Sequence, residues 1–219
     1  MLKTTQLPKR ERGDTLIEVL FAITVFALIV VSSLALMNQG IAASQRSIEI
    51  TAVRQAMDGQ AETLRFLHES YVEAYQTGIT FDTTDAVNSP AEEYYKILQS
   101  AKKPTSRTVA SPFNSGSTCT TPADPSNDFI LNPITATYVS ALANPNKFEN
   151  ANVYSQLTYS TGEVLNKSQG IWIEAISSPT VAGTSSGYID FHIRSCWSVP
   201  GSNEPMRLGT IVRLYEPRG

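Results

Sequence analysis

Histidine and cysteine are scarce in this chain, two of each in 219 residues, and their scarcity removes most of the usual routes to catalysis. His68 and His192 lie far apart, and there is no HExxH pair, no nucleophile elbow and no glycine-rich phosphate loop. Asp190 and His192, two apart in an apolar strand, share a face, but a solvated polar pair outweighs metal ligation there. We therefore expect no catalytic residue, no metal and no cofactor. Basic runs are also missing, since nothing exceeds Lys102-Lys103. The first 13 residues carry +3, which leaves −6 on everything after Gly13 against a total of −3. A nucleic-acid partner is not expected of such a chain. Proline is absent between Pro8 and Pro90, so nothing in that stretch forbids one long helix.

What fills the proline-free stretch is apolar. Leu16 to Met37 holds one charge, Glu18, in 22 residues. As a helix this run is about 33 Å long, enough to cross a hydrocarbon layer of about 30 Å. Lys3, Lys9, Arg10 and Arg12 precede it against Glu11 alone, which keeps the N-terminus in the cytoplasm by the positive-inside rule. A secretory signal peptide would have a shorter apolar core, and Ala42 with Ala43 makes a poor cleavage site beyond this one.

Past the run, the apolar residues change from continuous to periodic. Ile50, Val53, Met57, Ala61, Leu64, Leu67, Tyr71 and Tyr75 recur every three or four positions, with Glu49, Arg54, Gln55, Asp58, Glu62, Arg65 and Glu69 between them. That is one buried stripe on a helix continuous with the membrane run, about 60 residues in all. Gly40 and Gly59 each weaken it by about 1 kcal/mol relative to alanine without breaking it.

Residues 77–152 read as an irregular connector with one short helix near Ala91 to Ala101, started at Ser89 and Pro90. Pro104 to Asp128 carries ten Ser or Thr and four Pro, too little apolar surface for core. Residues 153–219 read as sheet, with strands at Val153 to Tyr159, Ile171 to Ile176, Tyr188 to Trp197 and Thr210 to Tyr215. In the third, Ile189, Phe191, Ile193 and Trp197 face the core, and Asp190, His192 and Arg194 face water; in the fourth, Val212 and Leu214 point inward. Gly201, Ser202 and Asn203 turn the last two strands into an antiparallel hairpin. The expected fold is α+β, a long N-terminal helix packed on an antiparallel sheet of about four strands. Cys119 and Cys196 both fall on the translocated side, where a bridge would contribute about 4 kcal/mol in the chain-entropy model. Two thiols are the alternative, and spacing alone leaves the choice open.

The junction of leader and apolar run, Arg12-Gly13-Asp14-Thr15-Leu16-Ile17-Glu18-Val19-Leu20, resembles the class III signal of type IV prepilins and type II secretion pseudopilins. The resemblance covers about the first 40 residues and combines a basic leader, glycine at the cut, a Thr-Leu-Ile-Glu-Val core and a membrane helix. It implies a prepilin peptidase cutting between Gly13 and Asp14 and methylating the amine of Asp14. Glycine at the cut lets the backbone extend into a narrow active site. The mature chain then has 206 of the 219 residues, with 14–40 the membrane and assembly half of the helix and 41–76 its amphipathic half. Glu18 matches the fifth mature residue of the family, which meets the N-terminal amine of a neighbouring subunit in the fibre.

Asp14 stands where the family mostly has phenylalanine, and Ala35 where major pilins often have proline. The departure at Asp14, together with the length of the mature chain, favours a minor pilin of a type IV pilus over a major one. The implied partners are other pilins in the fibre, the prepilin peptidase, the inner-membrane assembly platform and, before assembly, membrane lipid. The implied location is the inner membrane, single-pass, followed by a cell-surface pilus or pseudopilus. A pseudopilin of a type II secretion or DNA-uptake competence system is the nearest alternative. A membrane-anchored adhesin that never polymerises is the alternative from another class. Asp190 to Trp197 with Leu208 to Tyr215 also resembles the closing hairpin of pilin-like proteins.

Overall fold

The computed structural model of the chain describes residues 14–83, 88–101, 119, 127–178, 187–199 and 202–217. Helix α1 (Asp14–Gln76) runs 63 residues without interruption. It ends at Gly78, whose φ of 74° is a left-handed conformation that glycine adopts without steric cost. The chain separates after Ile48 into two units, described in turn.

In the first unit the side chains of α1 from Leu16 to Met37 are exposed. Polar groups inside this stretch are satisfied within the helix. The Thr24 hydroxyl donates to the Phe21 carbonyl at 2.8 Å and the Ser32 hydroxyl to the Leu28 carbonyl at 2.7 Å, so neither needs water.

In the second unit the apolar stripe of α1 forms the core with a sheet. Val53, Met57, Ala61, Leu64, Leu67 and Tyr71 are buried, whereas Tyr75 at the end of the stripe is 39% exposed. Gln60 lies fully buried beside them. Its carboxamide donates to the Leu131 carbonyl and accepts from the Leu131 N–H, both at 2.9 Å, which fixes the helix against one residue of a strand.

Helix α2 (Pro90–Ser100) begins with a capping box: Ser89 Oγ accepts from the Glu92 N–H while the Glu92 carboxylate accepts from the Ser89 N–H. Ala91, Tyr94 and Ile97 make its buried face. Glu93, also buried, binds Lys96 Nζ at 2.7 Å and accepts from the Tyr138 N–H at 2.7 Å, tying α2 to the sheet.

The sheet has five strands in the order β2-β1-β6-β7-β8, all neighbours antiparallel. They are β1 (Asp128–Asn132), β2 (Thr137–Ser140), β6 (Ile171–Ser177), β7 (Tyr188–Trp197) and β8 (Met206–Tyr215). A smaller sheet, β3-β5-β4, consists of β3 (Phe148–Glu149), β4 (Gln156–Tyr159) and β5 (Leu165–Gln169). The last two strands of the main sheet form the expected hairpin, in register from Tyr188↔Tyr215 to Trp197↔Met206.

Three expectations need correction. Residues 77–152 are more than a connector with a helix, because β1, β2 and β3 lie within them. β1 is buried at every position, so it lacks the alternation by which a half-exposed strand is recognised. The expected strand at Val153 to Tyr159 shortens to β4 and joins the smaller sheet rather than the main one. Arg194, expected in water, is 4% exposed and paired with fully buried Glu174 at 3.1 Å. The part of the Ser/Thr-rich excursion other than Cys119 and residues 127–128 lies outside the described residues, as does Gly201 of the expected turn.

Where the two sheets meet, Gly170 is irreplaceable on steric grounds. Its φ is +70°, and a Cβ would fall 2.4 Å from the Cys196 carbonyl oxygen. Its N–H donates to the Glu149 carbonyl at 2.8 Å and its carbonyl accepts from the Cys196 N–H at 2.9 Å, so this one residue links β3 to β7.

Candidate functional site

The residues singled out from the sequence fall in two places. Gly13 and the side chain of Asp14 lie outside the described residues, while Asp14 is the first residue of α1. Glu18 is in the second turn, on an exposed surface. Cys119 and Cys196 belong to the second unit. They form a disulfide with a Cα separation of 5.6 Å, joining the Ser/Thr-rich excursion to β7.

The N-terminal stretch is unusual in what it exposes. Fifteen large apolar side chains between Leu16 and Met37 are 38% exposed or more. A helix apolar on every side has no water-facing surface, so an apolar medium or other helices must surround it. Burying one such side chain yields roughly 1.5–3 kcal/mol, so fifteen yield on the order of 20–40 kcal/mol. Glu18 opposes this by up to about 3 kcal/mol at the centre of a bilayer and by less near its edge. The apolar term wins by about tenfold, and α1 is long and apolar enough to serve as a membrane anchor.

Along α1, no basic residue lies near Glu18 among the described residues. The next basic residue along α1 is Arg46, roughly 42 Å further along the axis at the helical rise.

The second unit carries polar constellations with structural roles. Asp190 is engaged by Arg213 through two hydrogen bonds, Nε at 2.7 Å and Nη2 at 2.8 Å, and the guanidinium lies 4.0 Å from the centre of the Tyr188 ring. The hydrogen bonds to Asp190 hold Arg213 firmly protonated. His192 is half-buried, and desolvation followed by the nearby Arg194 pushes its pKa below the ordinary value, against the smaller opposite pull of Glu174 and Asp190. His68 Nε2 lies 2.8 Å from the Tyr215 carbonyl oxygen, at the end of β8. No group of three His, Cys, Asp or Glu suited to a metal ion occurs among the described residues. In the smaller sheet, hydrogen bonds from Gln169 and Lys167 keep the Glu149 carboxyl below its usual range.

Gln60 escaped the sequence reading, because a glutamine beside an apolar stripe carries no sign that it faces a strand edge 71 residues away. A group of tyrosines at the far end of α1 escaped it too. Tyr71 and Tyr75 share a helix face, but the carboxylate that completes their surroundings, Glu216, is brought in from beyond β8.

Set against protein-family models, curated proteins and solved structures, the chain matches none.

Proposed function

We propose that the chain is a membrane-inserted fibre subunit, a minor pilin of a type IV pilus that is trimmed after Gly13 and assembles through α1. One observation carries this reading: a helix exposed on all sides and apolar from Leu16 to Met37, interrupted by a single carboxylate with no basic residue near it among the described residues. An anchor that stays in lipid as a lone helix has no use for Glu18, which costs free energy and contributes nothing there. A helix that packs against copies of itself does have a use. Cleavage before Asp14 creates an ammonium group, and a neighbouring Glu18 supplies the opposite charge in a low-dielectric setting. The buried apolar area then supplies cohesion and the charge pair sets the register. The α+β unit beyond Glu49 is displayed at the surface, and its disulfide suits an oxidising compartment.

The experiment that tests this is N-terminal sequencing of the membrane-extracted protein from cells with and without prepilin peptidase. The expected result is a chain beginning at Asp14 in the first case and at Met1 in the second. Retention of Met1 in both would falsify the proposal.

A further inference from the structure

At the C-terminal end of α1, a cavity of about 330 Å³ opens between that helix, α2 and the strand ends. Its polar lining residues are Tyr71, Tyr75, Tyr95, Gln99, Ser177 and Glu216. None of its lining residues is Lys or Arg. We propose that this cavity binds an organic monocation, the ammonium or guanidinium head of a small amine or of a basic side chain on another polypeptide.

The chemistry of the walls selects that class. Aromatic faces attract a cation through their quadrupoles, most strongly where water is partly excluded. Phenol, carboxamide and hydroxyl oxygens accept N–H bonds, and the carboxylate supplies the charge. The volume lies at the lower end of small-molecule sites, which admits an alkylammonium or guanidinium head and a short stem.

The walls are held in place before any ligand arrives. The Tyr71 ring packs at 4.9 Å from Phe81, 5.3 Å from Tyr94 and 6.1 Å from Tyr75. The Glu216 N–H donates to the Gly187 carbonyl at 3.0 Å. A Cβ on Gly187 would come within 2.7 Å of a Glu216 carboxylate oxygen, so glycine there leaves room for that carboxylate. Electrostatics point the same way. Burial first, then Tyr75, Glu216 and Tyr95, push the Tyr71 phenol upward, and burial and Glu216 do the same to Tyr94. Both phenols therefore stay protonated near neutral pH, and Glu216 is the one carboxylate among the lining residues, available to a cation. The inference is independent of the pilus reading, because every lining residue lies in the second unit.

The test uses the full chain in detergent micelles and saturation-transfer NMR. The probes are n-butylammonium, guanidinium, the N-acetylated amide of lysine, and neutral n-butanol as control, all at constant ionic strength. We expect saturable binding of the cationic probes with Kd on the order of millimolar and none for n-butanol. Tighter binding of the lysine derivative than of butylammonium assigns a polypeptide side chain as the source, and the reverse order assigns a free amine. Glu216→Gln should raise Kd about tenfold or more and Tyr75→Ala severalfold. Because Glu216 is exposed and the change is isosteric, an unaltered thermal midpoint serves as the folding control. Equal binding of butanol, or an unchanged Kd in Glu216→Gln, overturns the proposal. Lys102, Lys103 and Arg218 adjoin the lining residues Ala101 and Pro217 in sequence. If the cations bind only after all three are changed to Gln, the chain fills its own cavity and the site for an outside ligand is likewise overturned.

Discussion

Helix α1 has two halves that differ in how much apolar surface they carry and how it is arranged around the axis, and their fates are opposite. From Leu16 to Met37 nearly every residue is apolar and every one is exposed; from Val53 to Tyr71 apolar residues recur on one stripe, and that stripe is buried. Apolar content by itself does not say what will cover a helix. Its angular distribution does: a stripe matches one sheet face and leaves a wet face, whereas an all-round apolar surface can be satisfied only by lipid or by several neighbours at once. Charge follows the same division. The packed half carries Arg65 paired with Glu62 on its wet side, and the bare half carries Glu18 without a basic residue near it among the described residues.

The most direct way to break this contrast is to truncate one leucine in each half. Leu64→Ala, at a fully buried position, should destabilise the second unit by about 3–5 kcal/mol. Leu28→Ala, 68% exposed, should change it by less than about 0.5 kcal/mol. Urea unfolding of the protein in micelles, followed by the near-ultraviolet signal of buried Trp197, measures both; equal losses would show that the halves are not separate.

The disulfide belongs to the packed unit alone. With a sequence separation of 77 between its cysteines, its loss should cost about 4.5 kcal/mol at most in the chain-entropy model and more commonly about 2–4 kcal/mol. Cys119→Ser with Cys196→Ser should lower the unfolding midpoint of that unit and leave membrane extraction by alkaline carbonate unchanged. A change in extraction would mean that the bridge reaches beyond its own unit.

Glu18→Ala sharpens the contrast from the other side. It should leave the unfolding midpoint within error and leader removal largely intact, while lowering incorporation into sheared fibres severalfold. Immunoblots showing unchanged incorporation would remove the charge-pairing step and leave apolar packing as the whole of assembly.

The smallest effect expected is on pH dependence. The folded pKa of His192 lies below its ordinary 6.5, so the native state binds that proton less readily than the unfolded chain. The resulting stability is complete above about pH 6.5 and is lost as pH falls through the folded value. The midpoint of the second unit should decline between pH 7.5 and 5, and His192→Gln should flatten that slope. Retention of the bare half in membranes at those same pH values should not follow the histidine; if it tracks the same slope, the two halves are coupled.

Much of this architecture can be read from local order along the chain. The length of α1, the change from continuous to striped apolarity, the capped start of α2 at Ser89, and β7 at Tyr188 to Trp197 all follow from residues a few positions apart, because a helix or a half-exposed strand repeats its environment every few residues. Glu18 as the odd charge in an apolar run is visible for the same reason. Other features have no local signature. That β1 lies between β2 and β6, that Gln60 meets Leu131, that Arg194 is buried with Glu174, that Cys119 reaches Cys196, and that Glu216 joins the tyrosines of α1 and α2 all depend on residues tens of positions apart. A polar side chain is tolerable in a core only when its partner arrives from elsewhere in the fold. The identity of that partner is a property of the packed chain and leaves no trace in the neighbouring residues.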